Sequence, residues 1–138
     1  MGGEGANVEL VRLGLQAYER DGLEGLLSHA DPQIEILIEP GLGGAGTYRG
    51  HEGLRRSGGE WLEALRDFDL ESSDFIEVGE SIVVVPNHQV GTGRESGVRV
   101  EGDITYLLEF RQGKCTRFHI YAETDRALEV AERLVEEL

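Results

Sequence analysis

From Asn7 the chain reads NVELVRLGLQAYERDG, in which Val8, Val11, Leu15 and Tyr18 recur at the interval of a helix with one apolar face. Asn7 suits its N-cap and Gly22 its C-terminal stop. LEGLLSHADP predicts a second, shorter helix that stops at Asp31, because the residue before Pro32 is pushed out of the helical region. A strand follows over Gln33 to Ile38. The helical period returns from about His51 to Arg66, where Leu54, Gly58, Trp61, Leu62 and Leu65 share a face. Two interior glycines, Gly58 and Gly59, cost that helix about 2 kcal/mol relative to alanine, which implies close packing or room for a ligand. From Phe68 the period drops to two. FDLESSDFIEV, SIVVVPNHQVGTG, VRVEGDITYLLEF and KCTRFHIYA, separated by VGES, GRESG and RQG, predict a four-strand antiparallel meander. TDRALEVAERLVEEL closes the chain as a one-sided surface helix with its stripe on Ala127, Leu128, Ala131, Leu134, Val135 and Leu138. The order predicts an α+β fold in one domain over residues 1–138, core about 8–134, with helices covering one face of a curved antiparallel sheet.

Side-chain facing follows from the last hairpin. If Arg111-Gln112-Gly113 form a three-residue loop, Tyr106 lies opposite Phe118 and Ile104 opposite Ile120. One face is then apolar, with Ile104, Tyr106, Leu108 and Phe110 beside Phe118, Ile120 and Ala122. The other collects Asp103, Thr105, Glu109, Arg117, His119 and Tyr121. A two-residue loop would mix polar and apolar on both faces, and register follows the cleaner segregation. In the strand Ser81 to Gly93, Ile82, Val84, Pro86, His88 and Val90 form the more apolar face, so His88 is expected to point into the concave side. A bulge or exposed edge is expected at Pro86, which has no N–H for a ladder.

Composition narrows the function classes. A net charge of -14 over 138 residues repels polyanions, which argues against nucleic acid and against an anionic membrane surface as partners. No apolar run reaches the roughly 18 residues of a membrane span, and MGGEGAN lacks the pattern of a signal peptide, so a cytoplasmic protein is expected. The single cysteine, Cys115, allows no intrachain disulfide and is expected as a small buried hydrophobe. No two of the four histidines form a recognised metal spacing, and no metal site is expected. GLGGAG, after the strand-like IEILI, matches the dinucleotide fingerprint G-x-G-x-x-G. TYRG intervenes before any helix, however, and the following strands are hairpin-connected, whereas the fingerprint needs a parallel crossover. The glycines are better read as a flexible rim loop.

Four strings in order, LEGLLSHADPQIEI, YRGHEGLRR, SIVVVPNHQVGTGRESG and FRQGKCTRFHIYAETDRALEVA, resemble the SnoaL-like branch of the nuclear transport factor 2-like superfamily, over about Val8 to Leu134. That branch includes polyketide cyclases, ketosteroid isomerases and limonene epoxide hydrolase. The resemblance implies a cone-shaped half-barrel, its concave sheet closed by helices around a pocket for a small hydrophobic ligand, and commonly a homodimer through the outer sheet face. Fold alone does not fix chemistry.

The pocket walls expected on this basis are Leu15 and Trp61 from helices and Tyr106, Leu108, Phe118 and Ile120 from the sheet. Glu39 stands in Glu39-Pro40-Gly41, where ketosteroid isomerases carry an Asp-Pro whose carboxylate moves the proton. A carboxylate at the lip of an apolar pocket has its pKa raised by desolvation, which suits a general base. The oxyanion-hole tyrosine of that pattern falls at Gly14 and its protonated aspartate near Tyr106, so Tyr18 or Tyr106 would donate to a developing oxyanion. His88 is the candidate second acid-base group. The limonene epoxide hydrolase network has no match in PNHQV. Two functions stay open: a cofactor-independent isomerase or cyclase acting on a small apolar carbonyl compound, and a non-catalytic ligand-binding or dimerisation module.

Overall fold

The computed structural model describes residues 5–137, which leaves Leu138 of the closing stripe outside the described residues. The chain runs α1 (Ala6–Asp21), α2 (Leu23–Leu27), β1 (Ala30–Ile38), β2 (Gly46–Arg49), α3 (Gly50–Ala64), β3 (Leu65–Ser72), β4 (Ile76–Val78), β5 (Ile82–Gly93), β6 (Arg99–Arg111), β7 (Lys114–Tyr121) and α4 (Thr124–Glu136). The strands form one sheet in the order β2-β1-β7-β6-β5-β3, with β4 pairing β5 beyond the end of β3. This is the α+β class expected, a curved, unclosed sheet with helices against it. Its pairs are antiparallel except β1 with β7, which run parallel, so the sheet is mixed.

Two apolar clusters occupy the two faces of the sheet. On the concave face Val8 and Val11 of α1, Leu27 of α2 and Leu54 of α3 meet Ile34, Ile36, Ile38, Val83 and Val85. On the other face Ala127 and Ala131 of α4 pack on Ile82, Val84, Leu107 and Tyr121. The last helix therefore takes the outer face, while α1, α2 and α3 cover the concave one. Close approach of α1 and α2 rests on Gly25, where a Cβ would collide with the Ala17 carbonyl.

Several local expectations are corrected. The N-cap of α1 is Gly5; Asn7 instead donates from Nδ2 to the Glu80 carbonyl, 2.6 Å away, tying the helix to the turn before β5. The first strand begins at Ala30, because Pro32 sits in an irregular stretch of the β1–β7 pairing where no ladder bond is asked of it. The stretch GTYR is strand β2, antiparallel to β1, so the glycine-rich segment joins two antiparallel strands and makes no strand-to-helix turn. At Pro86 the β5–β6 register runs on without a bulge. The missing N–H falls on the opposite edge, between the end of β3 and the start of β4, where Ser73 N–H donates to the Pro86 carbonyl at 2.9 Å.

The β6–β7 hairpin turns on two residues, Gln112 and Gly113, both at positive φ (51° and 78°), the conformation of a type I′ turn. The ladder then slips by one residue between Glu109 opposite Arg117 and Phe110 opposite Cys115, which leaves Thr116 as a bulge. Tyr106 consequently faces Ile120 and Leu108 faces Phe118, two positions from the expected register. The parity of faces is unchanged, and the apolar set still lies on one side. Leu107, fully buried under α4, is the test of the outer cluster: Leu107→Ala is expected to cost about 2–5 kcal/mol by urea denaturation with the slope unchanged.

Candidate functional site

Between the concave face and helices α1 to α3 lies a cavity of about 980 Å³. Alternation along β1 turns Ile34, Ile36 and Ile38 inward, and the same alternation on β6 and β7 presents Tyr106, Leu108, Phe118 and Ile120. The helices add Leu15 and Tyr18 from α1 and Trp61 from α3. The structure thus places all six pocket-wall residues nominated from the sequence, and Tyr18, around one space. Tyr106 and Phe118 meet edge to face with centroids 4.9 Å apart, which fixes the Tyr106 ring. The glycine-rich segment contributes Leu42, Gly43 and Gly44 to the rim, with Gly43 close against Trp61.

Polar side chains interrupt this wall, among them Glu19, Ser57, Glu60, Asp69, Glu71 and Ser72, and two phenols stand beside its apolar surface. Burial raises the pKa of Tyr18, and burial together with the neighbouring Tyr18 raises that of Tyr106 well above the usual phenol range. Both phenols are therefore protonated hydrogen-bond donors. Neither hydroxyl bonds to another described residue. Gln89 reaches the same wall because β5 turns Val83, Val85 and Gln89 inward. His29, at the end of α2, also lines the cavity. Cys115 sits on it as the buried thiol expected, its pKa pushed up to about 12 by burial. Of the two α3 glycines, Gly58 lets Leu23 of α2 come close, since a Cβ would stand 3.2 Å from its Cδ1; nothing in the structure explains Gly59.

Glu39 and His88 lie elsewhere. Glu39 follows Ile38, and the alternation that sends Ile38 inward sends the glutamate outward. Its carboxylate accepts from Ala122 N–H at 3.0 Å and lies 3.9 Å from Arg126 Nε, joining the end of β1 to the start of α4. His88 shares the outer face with Ile82 and Val84, which corrects the expectation that it points into the cavity. Its ring nitrogens sit 2.9 Å from Asp103 and 2.8 Å from Glu101, contacts that raise its pKa, Asp103 the more. Sequence periodicity could not have found this, because Ile82 to Val85 are apolar on both faces. Gln89 was missed for the same reason.

The outer face also carries a polar cluster between β1, β6 and β7. Glu35 accepts from Arg117 at 3.1 Å and from His119 Nε2 at 2.9 Å, Arg117 Nε donates to buried Glu109 at 2.9 Å, and His119 Nδ1 lies 2.9 Å from the Tyr121 hydroxyl. The His119 hydrogen bond, with Arg117 beside it, lowers the pKa of Glu35, whereas burial lowers that of His119.

No family model matches the chain, and no curated protein matches it in sequence. Solved structures match over nearly its whole length. An open curved sheet closed by helices over an apolar cavity is the nuclear transport factor 2-like fold, and this chain has it. An NTF2-like protein of unknown function from Burkholderia pseudomallei K96243 is 21% identical, at TM-score 0.76 over 93% of this chain and 98% of that one. TerC, co-crystallised with polyporic acid, is 26% identical, at TM-score 0.74 over 93% of this chain and 99% of that one. A protein assigned as a SnoaL-like polyketide cyclase from Jannaschia sp. CCS1 is 14% identical, at TM-score 0.74 over 95% and 98%. Among the described residues no helix is long and apolar enough to cross a membrane.

The two outer-face histidines set opposite pH dependences. His119 resists protonation in the fold, so stability should fall as pH drops through about 6.5, and Glu35 adds a further loss below about 4.5. His88 binds its proton more tightly when folded, so its contribution is present at low pH and fades as pH rises through its raised value. Urea midpoints between pH 8 and 5 should show a flatter acid-side loss in His119→Gln and a steeper one in His88→Gln.

Proposed function

We propose that the cavity binds a small, mainly apolar molecule carrying an oxygen acceptor, held by O–H donation from Tyr18 and Tyr106. The observation that supports this reading is the pair of protonated phenols on an apolar wall without a partner among the described residues. A hydroxyl that faces an apolar cavity and has no protein partner is free to donate to a ligand oxygen in place of water. The remaining wall, with Leu15, Trp61, Leu108, Phe118 and Ile120, supplies apolar contact and shape. TerC, a neighbour over almost the same span, was crystallised with polyporic acid, which agrees with an aromatic, oxygen-bearing ligand.

The same phenols suit a second reading, a cofactor-independent isomerase or cyclase step, because donors in a dry site stabilise the oxyanion that develops when a carbonyl compound loses an α-proton. In that reading Glu39, committed to Ala122 and Arg126 on the far side of the sheet, gives way to His29 on the cavity wall as the proton acceptor. Deuterium exchange at the methyl group of 2-acetonaphthone would then be lost in His29→Gln and kept in Glu39→Gln. Loss in the Glu39 variant alone would restore the assignment made from the sequence. Homodimer pairing through the part of the outer face beside α4, around Glu35 and Arg49, is proposed with either reading; a monomer mass at sedimentation equilibrium would end it.

Binding is tested by calorimetric titration with 2-acetonaphthone. Tyr18→Phe and Tyr106→Phe are each expected to weaken it roughly three- to tenfold, the worth of one hydrogen bond, without lowering thermal stability. Equal affinity in the wild type and the double variant would contradict the reading.

A further inference from the structure

Gly14 lies in the interior of α1, is buried, and lines the cavity. A glycine there costs the helix about 1 kcal/mol relative to alanine, so something in the molecule should require it. Backbone conformation does not, because Gly14 is absent from the residues at positive φ. Close packing does not either. A Cβ at Gly25 would strike the Ala17 carbonyl and one at Gly58 would crowd Leu23, but a Cβ at Gly14 would meet nothing within 4 Å. The position is shielded from solvent and yet empty on the side where its side chain would project. Tyr18, four residues on, lies one turn along the same helix face. The space left by the missing side chain therefore adjoins the proposed hydrogen-bond donor.

We infer that Gly14 is a specificity-determining residue: its missing side chain forms a slot against the α1 backbone that admits one ring of a polycyclic ligand whose oxygen is held by Tyr18 and Tyr106. This rests on the binding reading above and adds a substrate class to it. A cavity of about 980 Å³ is at the upper end of those that enclose drug-sized ligands, larger than a single ring needs. The wall supports flat ring systems, with Trp61, Phe118 and Tyr106 offering aromatic surface. A methyl group at residue 14 would enter the slot with nothing within 4 Å of it beyond its chain neighbours and the surrounding helix backbone, and an isobutyl group would reach further into the cavity.

The test is a matched series of methyl ketones, acetophenone, 2-acetonaphthone and 2-acetylphenanthrene, titrated calorimetrically into the wild type, Gly14→Ala and Gly14→Leu. The wild type should bind the three-ring ketone tightest. Gly14→Leu should lose roughly tenfold or more for it, while acetophenone changes less than about threefold, because a filled hydrophobic pocket discriminates on that scale. Gly14→Ala should show the same trend in smaller measure, with an unfolding midpoint at or above that of the wild type, so the test survives if the leucine variant does not fold. Unchanged affinity for 2-acetylphenanthrene in both variants would overturn the slot, and so would an equal loss for all three ketones. If the wild type binds none of them, the binding reading fails with it; if binding depends on Tyr18 and Tyr106 but not on residue 14, only the slot fails.

Discussion

The structure depends on β5 having two apolar faces. Its run Ile82-Val83-Val84-Val85 is at most 1% exposed at every position, yet neighbouring side chains leave on opposite sides. Val83 and Val85 belong to the concave cluster beneath α1 and α3, and Ile82 and Val84 to the cluster beneath α4. One strand thus forms the wall between a core that is filled and a core that encloses a cavity. A register slip of one residue against β6 would exchange the two sets and send Asn87 and Gln89 to the outer face.

The filled side supports the hollow side. α4 lays its small residues Ala127 and Ala131 against the outer face, so the sheet can hold its curvature without help from material in the concavity. On the concave side α1, α2 and α3 close over a space that their side chains leave unfilled, with Gly14 adding depth. What remains on that wall is mostly hydrocarbon, with two phenols whose protons burial holds in place. Such groups are preorganised for a ligand oxygen, and their orientation is fixed by packing, as the edge contact of Tyr106 with Phe118 shows for one of them.

The helices and the apolar face of the last hairpin were legible because each has a single clear period, whereas FDLESSDFIEV, which reads as one strand, divides after Ser72 into β3 and β4, both paired with β5. The hairpin shows how a wrong local detail can leave the right face: the loop has two residues, not three, but the bulge at Thr116 restores the parity. The face of β5 was not legible, since a strand buried on both sides carries no alternation to read. His88 was misplaced as a result. Glu39 was assigned by its place at the end of a strand and by resemblance, when the alternation of QIEILI already put it opposite the three isoleucines. Strand β2 was hidden in a segment whose glycines read as loop, and its pairing with β1 depends on tertiary contact, including the close approach of Gly53 to Tyr48.

The most direct measurement uses the four tyrosines of the chain, of which Tyr18 and Tyr106 line the cavity and Tyr48 and Tyr121 do not. With the tyrosine Cζ carbons labelled with carbon-13, 2-acetonaphthone is titrated and all four resonances are followed by NMR. Binding in the cavity predicts saturable shifts of Tyr18 and Tyr106 with a common dissociation constant, while Tyr48 and Tyr121 stay in place. Shifts confined to Tyr48 and Tyr121, or spread equally over all four without saturation, would contradict it.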